Sequence, residues 1–116
     1  MSEIRADTIS DAAGTGPIAL TKQSAAKAWV AHSSTPSING SYNVASLTDN
    51  AAGNFDINLI NAMANVNYSI PSSCESGARI SSTQDVSASE FNIVYFNVAG
   101  VQEDRGGSAE VLGDLA

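Results

Sequence analysis

Few residues in this sequence could carry out covalent chemistry, and the only histidine is the first to consider. A serine or cysteine hydrolase uses a histidine as its general base, so such an arrangement would need His32. His32 lies in a stretch rich in Ser, Thr and Pro, for which a solvated linker histidine is the simpler interpretation. The only cysteine, Cys74, has no basic residue beside it and is interpreted as a plain thiol. We therefore predict no enzyme activity, no catalytic residues and no cofactor.

Oxygen ligands for a calcium ion could come from Asp49, Asn50 and Asp56. Their spacing matches no EF-hand loop, and Asp and Asn favour turns for backbone reasons alone. We therefore predict a turn at residues 48–53 and no metal site. A single cysteine closes no intrachain disulfide, so stability has to come from packing or from assembly.

Aromatic side chains are the other candidates for ligand contact. Trp29, the only tryptophan, could stack on a sugar or a peptide, but a lone tryptophan ending an alanine-rich segment more often anchors that segment. The tyrosines lie on predicted strands, where half-buried packing is expected and a glycan-binding face is the alternative. These are Tyr42, Tyr68 and Tyr95.

The composition limits the size of the core and the class of partner. A chain of 116 residues with 6% aromatic residues forms one domain with a thin core, which suggests further burial against copies of itself. The net charge of -7 repels phosphate backbones and anionic lipids, which argues against nucleic acid as a partner. No apolar run reaches the roughly 20 residues of a membrane span, and residues 1–5 lack a signal-peptide pattern. We expect synthesis in the cytoplasm without membrane insertion.

Residues 1–40 are predicted to form an extended docking arm that contains one short α-helix and a linker. Residues 21–30 combine a threonine N-cap with good helix formers, and a helix this short has to dock on something to be stable. Residues 32–40 read as a polar linker. The residues predicted to dock the arm are Ile4, Ile9, Ile18, Leu20, Trp29 and Val30.

Residues 41–116 are predicted to form a small antiparallel β-sandwich, so that the fold class is all-β. Residues 42–47 and 55–59 alternate in hydropathy around a turn, which predicts a β-hairpin. Further strands are predicted at 66–70, 78–82, 89–98 and 109–115.

The strand at 89–98 is apolar on both faces, which is typical of a strand that is central in a sheet or lies at a subunit contact. On its second face lie Val94, Phe96 and Val98. We predict that these three residues are close to a contact between copies of the chain.

Several stretches, in order along most of the chain, resemble the small tail-fibre and virion proteins of phages that infect marine bacteria and cyanobacteria. I-R-A-D-T-I-S-D-A-A-G-T-G-P at 4–17 and L-T-K-Q-S-A-A-K-A-W-V at 20–30 are similar to their arm and short helix. S-Y-N-V-A-S-L-T-D-N at 41–50, G-N-F-D-I-N-L at 53–59, N-A-M at 61–63 and N-Y-S at 67–69 are similar to their first three strands. E-V-L-G-D-L-A at 110–116 is similar to their closing strand, whereas residues 72–89 show no likeness.

The resemblance implies a virion location, no enzyme activity and oligomerisation, often as a trimer. Our first hypothesis is a short tail fibre or tip-like appendage, attached to other virion proteins by its arm and exposing the β domain. In this hypothesis, a glycan or a protein on the host surface is a candidate partner. The alternative is a capsid decoration or head-fibre protein that stabilises the shell, and a small enzyme or lectin is a third hypothesis from a different class.

Overall fold

The structure is a computed structural model that describes residue 13 and residues 25–75 and 77–116. These residues form eight strands and no helix, so the predicted all-β antiparallel class is confirmed. They are β1 Ala28–His32, β2 Ile38–Tyr42, β3 Val44–Ala51, β4 Asn54–Leu59, β5 Ser72–Cys74, β6 Ile80–Ser87, β7 Glu90–Phe96 and β8 Gly107–Val111.

The strands form two four-stranded sheets. Sheet I has the order β2-β1-β8-β5, and sheet II has the order β3-β4-β7-β6. Every neighbouring pair is antiparallel. Within the described residues, the first strand, β1, and the last strand, β8, both belong to sheet I and pair with each other.

Sheet II follows directly from the alternation in the sequence. In β4, N-F-D-I-N-L, every second side chain is buried, and β7 repeats the pattern beside it. The register places Phe55 opposite Ile93 and Ile57 opposite Phe91, so the apolar residues of the two central strands share one face. The predicted hairpin of β3 and β4 is also confirmed.

Both sheets contribute to one hydrophobic core. Sheet II supplies its largest side chains, and sheet I adds smaller ones from β1 and β8. The buried residues are Ala28, Val30, Val44, Phe55, Ile57, Leu59, Met63, Tyr68, Phe91, Ile93, Tyr95, Ala109 and Val111. Eight of these thirteen residues are Phe, Tyr, Ile, Leu or Met, and the other five are Val or Ala.

The turn between β3 and β4 depends on a glycine. Gly53 has φ +67°, a conformation that favours glycine, and a Cβ there would lie 2.5 Å from the Glu103 carbonyl oxygen. The Gly53 amide donates to Asp104 Oδ1 at 2.7 Å, and the Gly53 carbonyl accepts from the Tyr95 amide at 2.9 Å. The hairpin is thereby tied to β7 and to the loop at residues 101–106.

The predicted helix at residues 21–30 is wrong where the structure describes it. Residues 28–30 belong to β1, and residues 25–27 are not helical; residues 21–24 lie outside the described residues. Strand pairing on both sides of β1 and the burial of Ala28 and Val30 outweigh the helix propensity of an alanine-rich segment.

The segment at 32–40 is not a polar linker. His32 ends β1 and is 2% exposed, and Ile38 to Gly40 belong to β2. The boundary predicted between residues 40 and 41 therefore falls inside a strand of sheet I. Residues 66–70 form no strand, since only a single bridge joins Ser69 to Leu112.

Candidate functional site

An open groove of about 410 Å³ crosses β1, β8 and β5 of sheet I. The residues that line it share short or polar side chains, with one aromatic exception. They are Trp29, Val30, Pro71, Ser72, Ser73, Ser108, Ala109 and Glu110. Volumes of roughly 300–1,000 Å³ are usual for small-ligand sites, so the groove is large enough to hold a ligand.

Strand register assembles an aromatic row beside the groove. Trp29 pairs with Tyr42 on one side and with Glu110 on the other, so the three side chains lie side by side on one face of sheet I. This face is opposite to the core, because the next residue, Val30, is buried. Trp29 is 43% exposed and Tyr42 is 60% exposed.

A second row of small residues runs parallel to the aromatic row. Ala31 pairs with Gly40 and with Ser108, and Ser108 pairs in turn with Ser73. The Ser73 and Ser108 hydroxyl oxygens lie 2.9 Å apart. Because Ala31, Ser108 and Ser73 all have short side chains, this part of the row forms a low strip next to Trp29.

Gly40 determines where the Trp29 ring lies. A Cβ at position 40 would be 3.2 Å from Trp29 Cη2 and 3.3 Å from Cζ3. The indole therefore leans over the glycine of β2, which a larger residue would obstruct. The ring is held against the sheet while part of its surface stays in contact with solvent.

His32 and Tyr95 form a closed polar centre in the core rather than an open site. His32 Nε2 lies 2.8 Å from the Tyr95 hydroxyl, and Nδ1 lies 3.1 Å from the Ser33 carbonyl oxygen. Because a carbonyl only accepts, Nδ1 carries the hydrogen and Nε2 accepts from Tyr95. Burial raises the pKa of the Tyr95 hydroxyl, so this hydroxyl remains a donor. The prediction that His32 is solvated is wrong.

Cys74 lies in β5 and is partly buried against the core. Burial raises the pKa of its thiol, which outweighs the opposite effect of Arg105 and Arg79. Because the thiolate is the reactive form, this position disfavours nucleophilic chemistry. The interpretation of Cys74 as a plain thiol stays in agreement with its surroundings.

The outer face of sheet II carries an amide and carboxylate network at its centre. The Asn92 side-chain amide lies 2.6 Å from Asn54 Oδ1 and 2.7 Å from Asp56 Oδ1. The Asn50 amide donates to the other oxygen of Asp56 at 2.7 Å. The acceptor oxygens of Asp56 are thus occupied by amide donors on neighbouring strands.

The calcium alternative finds no support in this arrangement. Asp49 and Asn50 lie within β3, and the turn is confined to residues 52–53, later in the chain than predicted. In residues 25–75 and 77–116 no group of three or more His, Cys, Asp or Glu side chains is placed to hold a metal ion.

One end of the outer face of sheet II is apolar, and we call Ile80, Val94 and Phe96 the apolar corner. Phe96 pairs with Ile80 across β7 and β6, and Val94 lies two residues from Phe96 on the same face. Ile80 is 59% exposed, whereas Val94 and Phe96 are half-buried. Val98, the third residue predicted at a subunit contact, lies beyond the end of β7 and is 77% exposed.

A cluster of three charged residues lies in the loops at residues 77–79 and 103–106. Glu103 Oε1 pairs with the Arg79 guanidinium and lies 3.0 Å from Arg105 Nε and 3.0 Å from Nη2. The hydrogen bond from Arg105, followed by the charges of both arginines, holds the pKa of Glu103 below its usual range. Both guanidinium groups are therefore engaged within the chain.

The residues predicted to dock the arm are separated by the structure. Trp29 is exposed, whereas Val30 is buried in the core; their role in docking stays a prediction. The remaining four, which lie in residues 4–20, are outside the described residues. They are Ile4, Ile9, Ile18 and Leu20.

Sequence reasoning did not find most of the groove. Pro71, Ser73, Ser108 and Glu110 have common residue types in two separate stretches, and only strand pairing brings them beside Trp29. The one usable signal is the single tryptophan itself.

Comparisons of the chain with protein-family models, with curated proteins and with solved structures find no match. The residues that the structure describes contain no helix with the length and hydropathy that a membrane crossing requires. The groove on sheet I and the apolar corner on sheet II are the two surfaces from which a function can be inferred.

Proposed function

We propose that the chain is a non-enzymatic structural protein of a bacteriophage particle. In this proposal a β-sandwich domain is attached to other virion proteins through the N-terminal segment and packs against copies of itself. A short tail fibre or tip-like appendage that exposes the β domain, with a trimer as the favoured assembly, agrees best with the resemblance described above.

The apolar corner is the observation that carries this proposal. The centre of the outer face of sheet II is covered by hydrogen-bonded Asn and Asp side chains, which suit a surface in contact with water. Ile80, Val94 and Phe96 depart from that pattern at one end. Partly exposed apolar groups side by side are typical of a protein contact, because burying them against another chain removes apolar surface from water.

The buried state of His32 supports a role without catalysis. Both ring nitrogens have hydrogen-bond partners inside the fold, and the ring packs edge-on against Phe55 with centroids 5.3 Å apart. A general base has to reach a substrate proton, whereas this imidazole is 2% exposed. We interpret His32 as a structural residue.

Light scattering coupled to size-exclusion chromatography tests the assembly. We expect the purified chain to have three times the 11.9 kDa chain mass, and Phe96→Thr to lower the mass towards the monomer. Threonine keeps the preference for β structure but removes the apolar ring. Val86→Thr, at an exposed valine elsewhere on β6, is the matched control and should leave the mass unchanged.

A wild-type chain that stays monomeric at all concentrations would contradict the proposed assembly. A capsid decoration protein that clamps the shell is the alternative, and the position of the chain on intact particles decides between decoration and fibre.

A further inference from the structure

We propose that the groove on sheet I binds an uncharged oligosaccharide, with Trp29 as the ring that stacks on a sugar. For its biological setting this inference rests on the proposed function, because a module displayed on a particle needs a surface to recognise. The chemistry of the site depends only on residues of sheet I.

Trp29 has the position that sugar stacking requires. Its indole leans over Gly40 and is held there by the sheet, yet 43% of the residue is exposed. The C–H groups on one face of a pyranose pack against an aromatic ring, which combines apolar contact with a weak electrostatic attraction. Tyr42 lies next to Trp29 in the same row and extends the aromatic surface.

The strip of small residues gives a sugar room to lie beside the ring. The Trp29 indole covers Gly40, but Ala31 and Ser108, which pair across β1 and β8, have short side chains. Trp29, Ser73 and Ser108 all line the groove. A flat ligand can therefore contact the indole and the serine row at once.

The polar groups of the groove match sugar hydroxyls. The exposed Glu110 carboxylate accepts hydrogen bonds, and Ser73 and Ser108 can each donate and accept. Vicinal sugar hydroxyls present donors at a spacing that one carboxylate can accept together. The main chains of β1 and β8 are used for sheet pairing, so a peptide strand would be confined to the edge of β5, away from Trp29.

Charge selects an uncharged ligand over an acidic one. The groove lining contains one carboxylate and no cationic side chain among the described residues, and the chain as a whole carries -7. Sialic acids, uronic acids and sulfated sugars would bring a second negative charge close to Glu110, which is unfavourable. Arg79 and Arg105 are already paired with Glu103.

Intrinsic fluorescence tests the site directly, because Trp29 is the only tryptophan in the chain. We expect maltohexaose or chitohexaose to shift the Trp29 emission saturably, and sialyllactose to have no effect. Glu110→Gln should weaken binding by about tenfold or more, since it removes a charged acceptor while keeping the shape. Ile60→Ala, at an exposed residue outside the groove, is the matched control and should bind as the unmodified chain does.

Isothermal titration calorimetry measures binding by a variant without tryptophan, for which the fluorescence signal is lost. Trp29→Ala should abolish binding of the oligosaccharide that the unmodified chain binds, and a circular dichroism spectrum shows whether that variant is folded. The inference is overturned if neither uncharged oligosaccharide shifts the emission, if sialyllactose binds more tightly, or if Glu110→Gln binds as well as the unmodified chain. The same samples give a mass by light scattering, so a failed groove and a failed assembly are distinguished.

Discussion

The Tyr95 hydroxyl lies 2.8 Å from His32 Nε2 and joins β7 of sheet II to β1 of sheet I. The Phe55 ring from β4 packs against both residues, with centroids 5.3 Å from His32 and 6.1 Å from Tyr95. The contact is the polar centre of a core that is otherwise apolar. It links the two sheets through a directional hydrogen bond between buried groups.

Removing the Tyr95 hydroxyl should destabilise the fold. Tyr95→Phe leaves His32 Nε2 buried without a donor, and we expect the free energy of unfolding to fall by about 1–3 kcal/mol. Urea unfolding followed by circular dichroism measures this loss. Tyr42→Phe removes a hydroxyl from an exposed residue and should change the stability by less than about 0.5 kcal/mol. Equal effects of the two substitutions would contradict the role of the contact.

Alkaline pH should unfold the protein through its buried tyrosines. Burial, then the charges of Asp85 and Glu90, raises the pKa of Tyr68 to about 12, and burial raises the pKa of Tyr95 as well. An unfolded tyrosine titrates near about 10, so above that pH the unfolded state loses protons that the folded state keeps. The stability from these groups is therefore complete below about pH 10 and is lost as the pH rises towards about 12.

The urea concentration at the unfolding midpoint, measured from about pH 8 to about pH 12, checks this dependence. Tyrosines titrate in roughly this range. We expect a flat region followed by a fall, and a shallower fall for Tyr95→Phe. Midpoints that stay constant across the whole range would show that the two hydroxyls ionise without cost in the folded protein.

Gly53 and Gly100 form a matched pair for testing the hairpin turn. Both have positive φ, +67° and +79°, but a Cβ at Gly53 would collide with the backbone of Glu103 and Tyr95, whereas Gly100 faces open space. We expect Gly100→Ala to cost about 1 kcal/mol of stability, from the backbone conformation alone. Gly53→Ala should cost at least about 2 kcal/mol more, because backbone has to move. Similar losses for both variants would disprove the close packing at this turn.

A trimer built through the apolar corner should show a thermal midpoint that rises with protein concentration, because association favours the folded state by mass action. The rise should vanish in Val94→Asn, which places an amide on the outer face two residues from Phe96. Differential scanning fluorimetry over a wide concentration range measures it. If this variant keeps the full concentration dependence, the contact between copies does not involve the apolar corner.

The hairpin and the central strand could be predicted from the sequence because they are local or strongly patterned. β3 and β4 are separated by two residues, and β4 and β7 alternate with a period of two. Each signal is contained within about ten residues, and it needs no knowledge of distant partners.

β1 could not be predicted in the same way, because its strand conformation depends on partners far along the chain. The alanine-rich segment has good helix propensity, but pairing with β2 and with β8 gives it two neighbours. The burial of His32 follows from this pairing and from Tyr95, 63 residues later. The groove was hidden for the same reason, since its lining comes from β1, β5 and β8.

The proposed function is tested most directly by cryo-electron microscopy of the phage particles that, under this proposal, carry the chain. We predict copies related by threefold symmetry on the particle, with Val94 and Phe96 in contact with a neighbouring copy and Trp29 facing outward. Particles that lack the chain, or copies whose Val94 and Phe96 are surrounded only by water, would contradict the proposal.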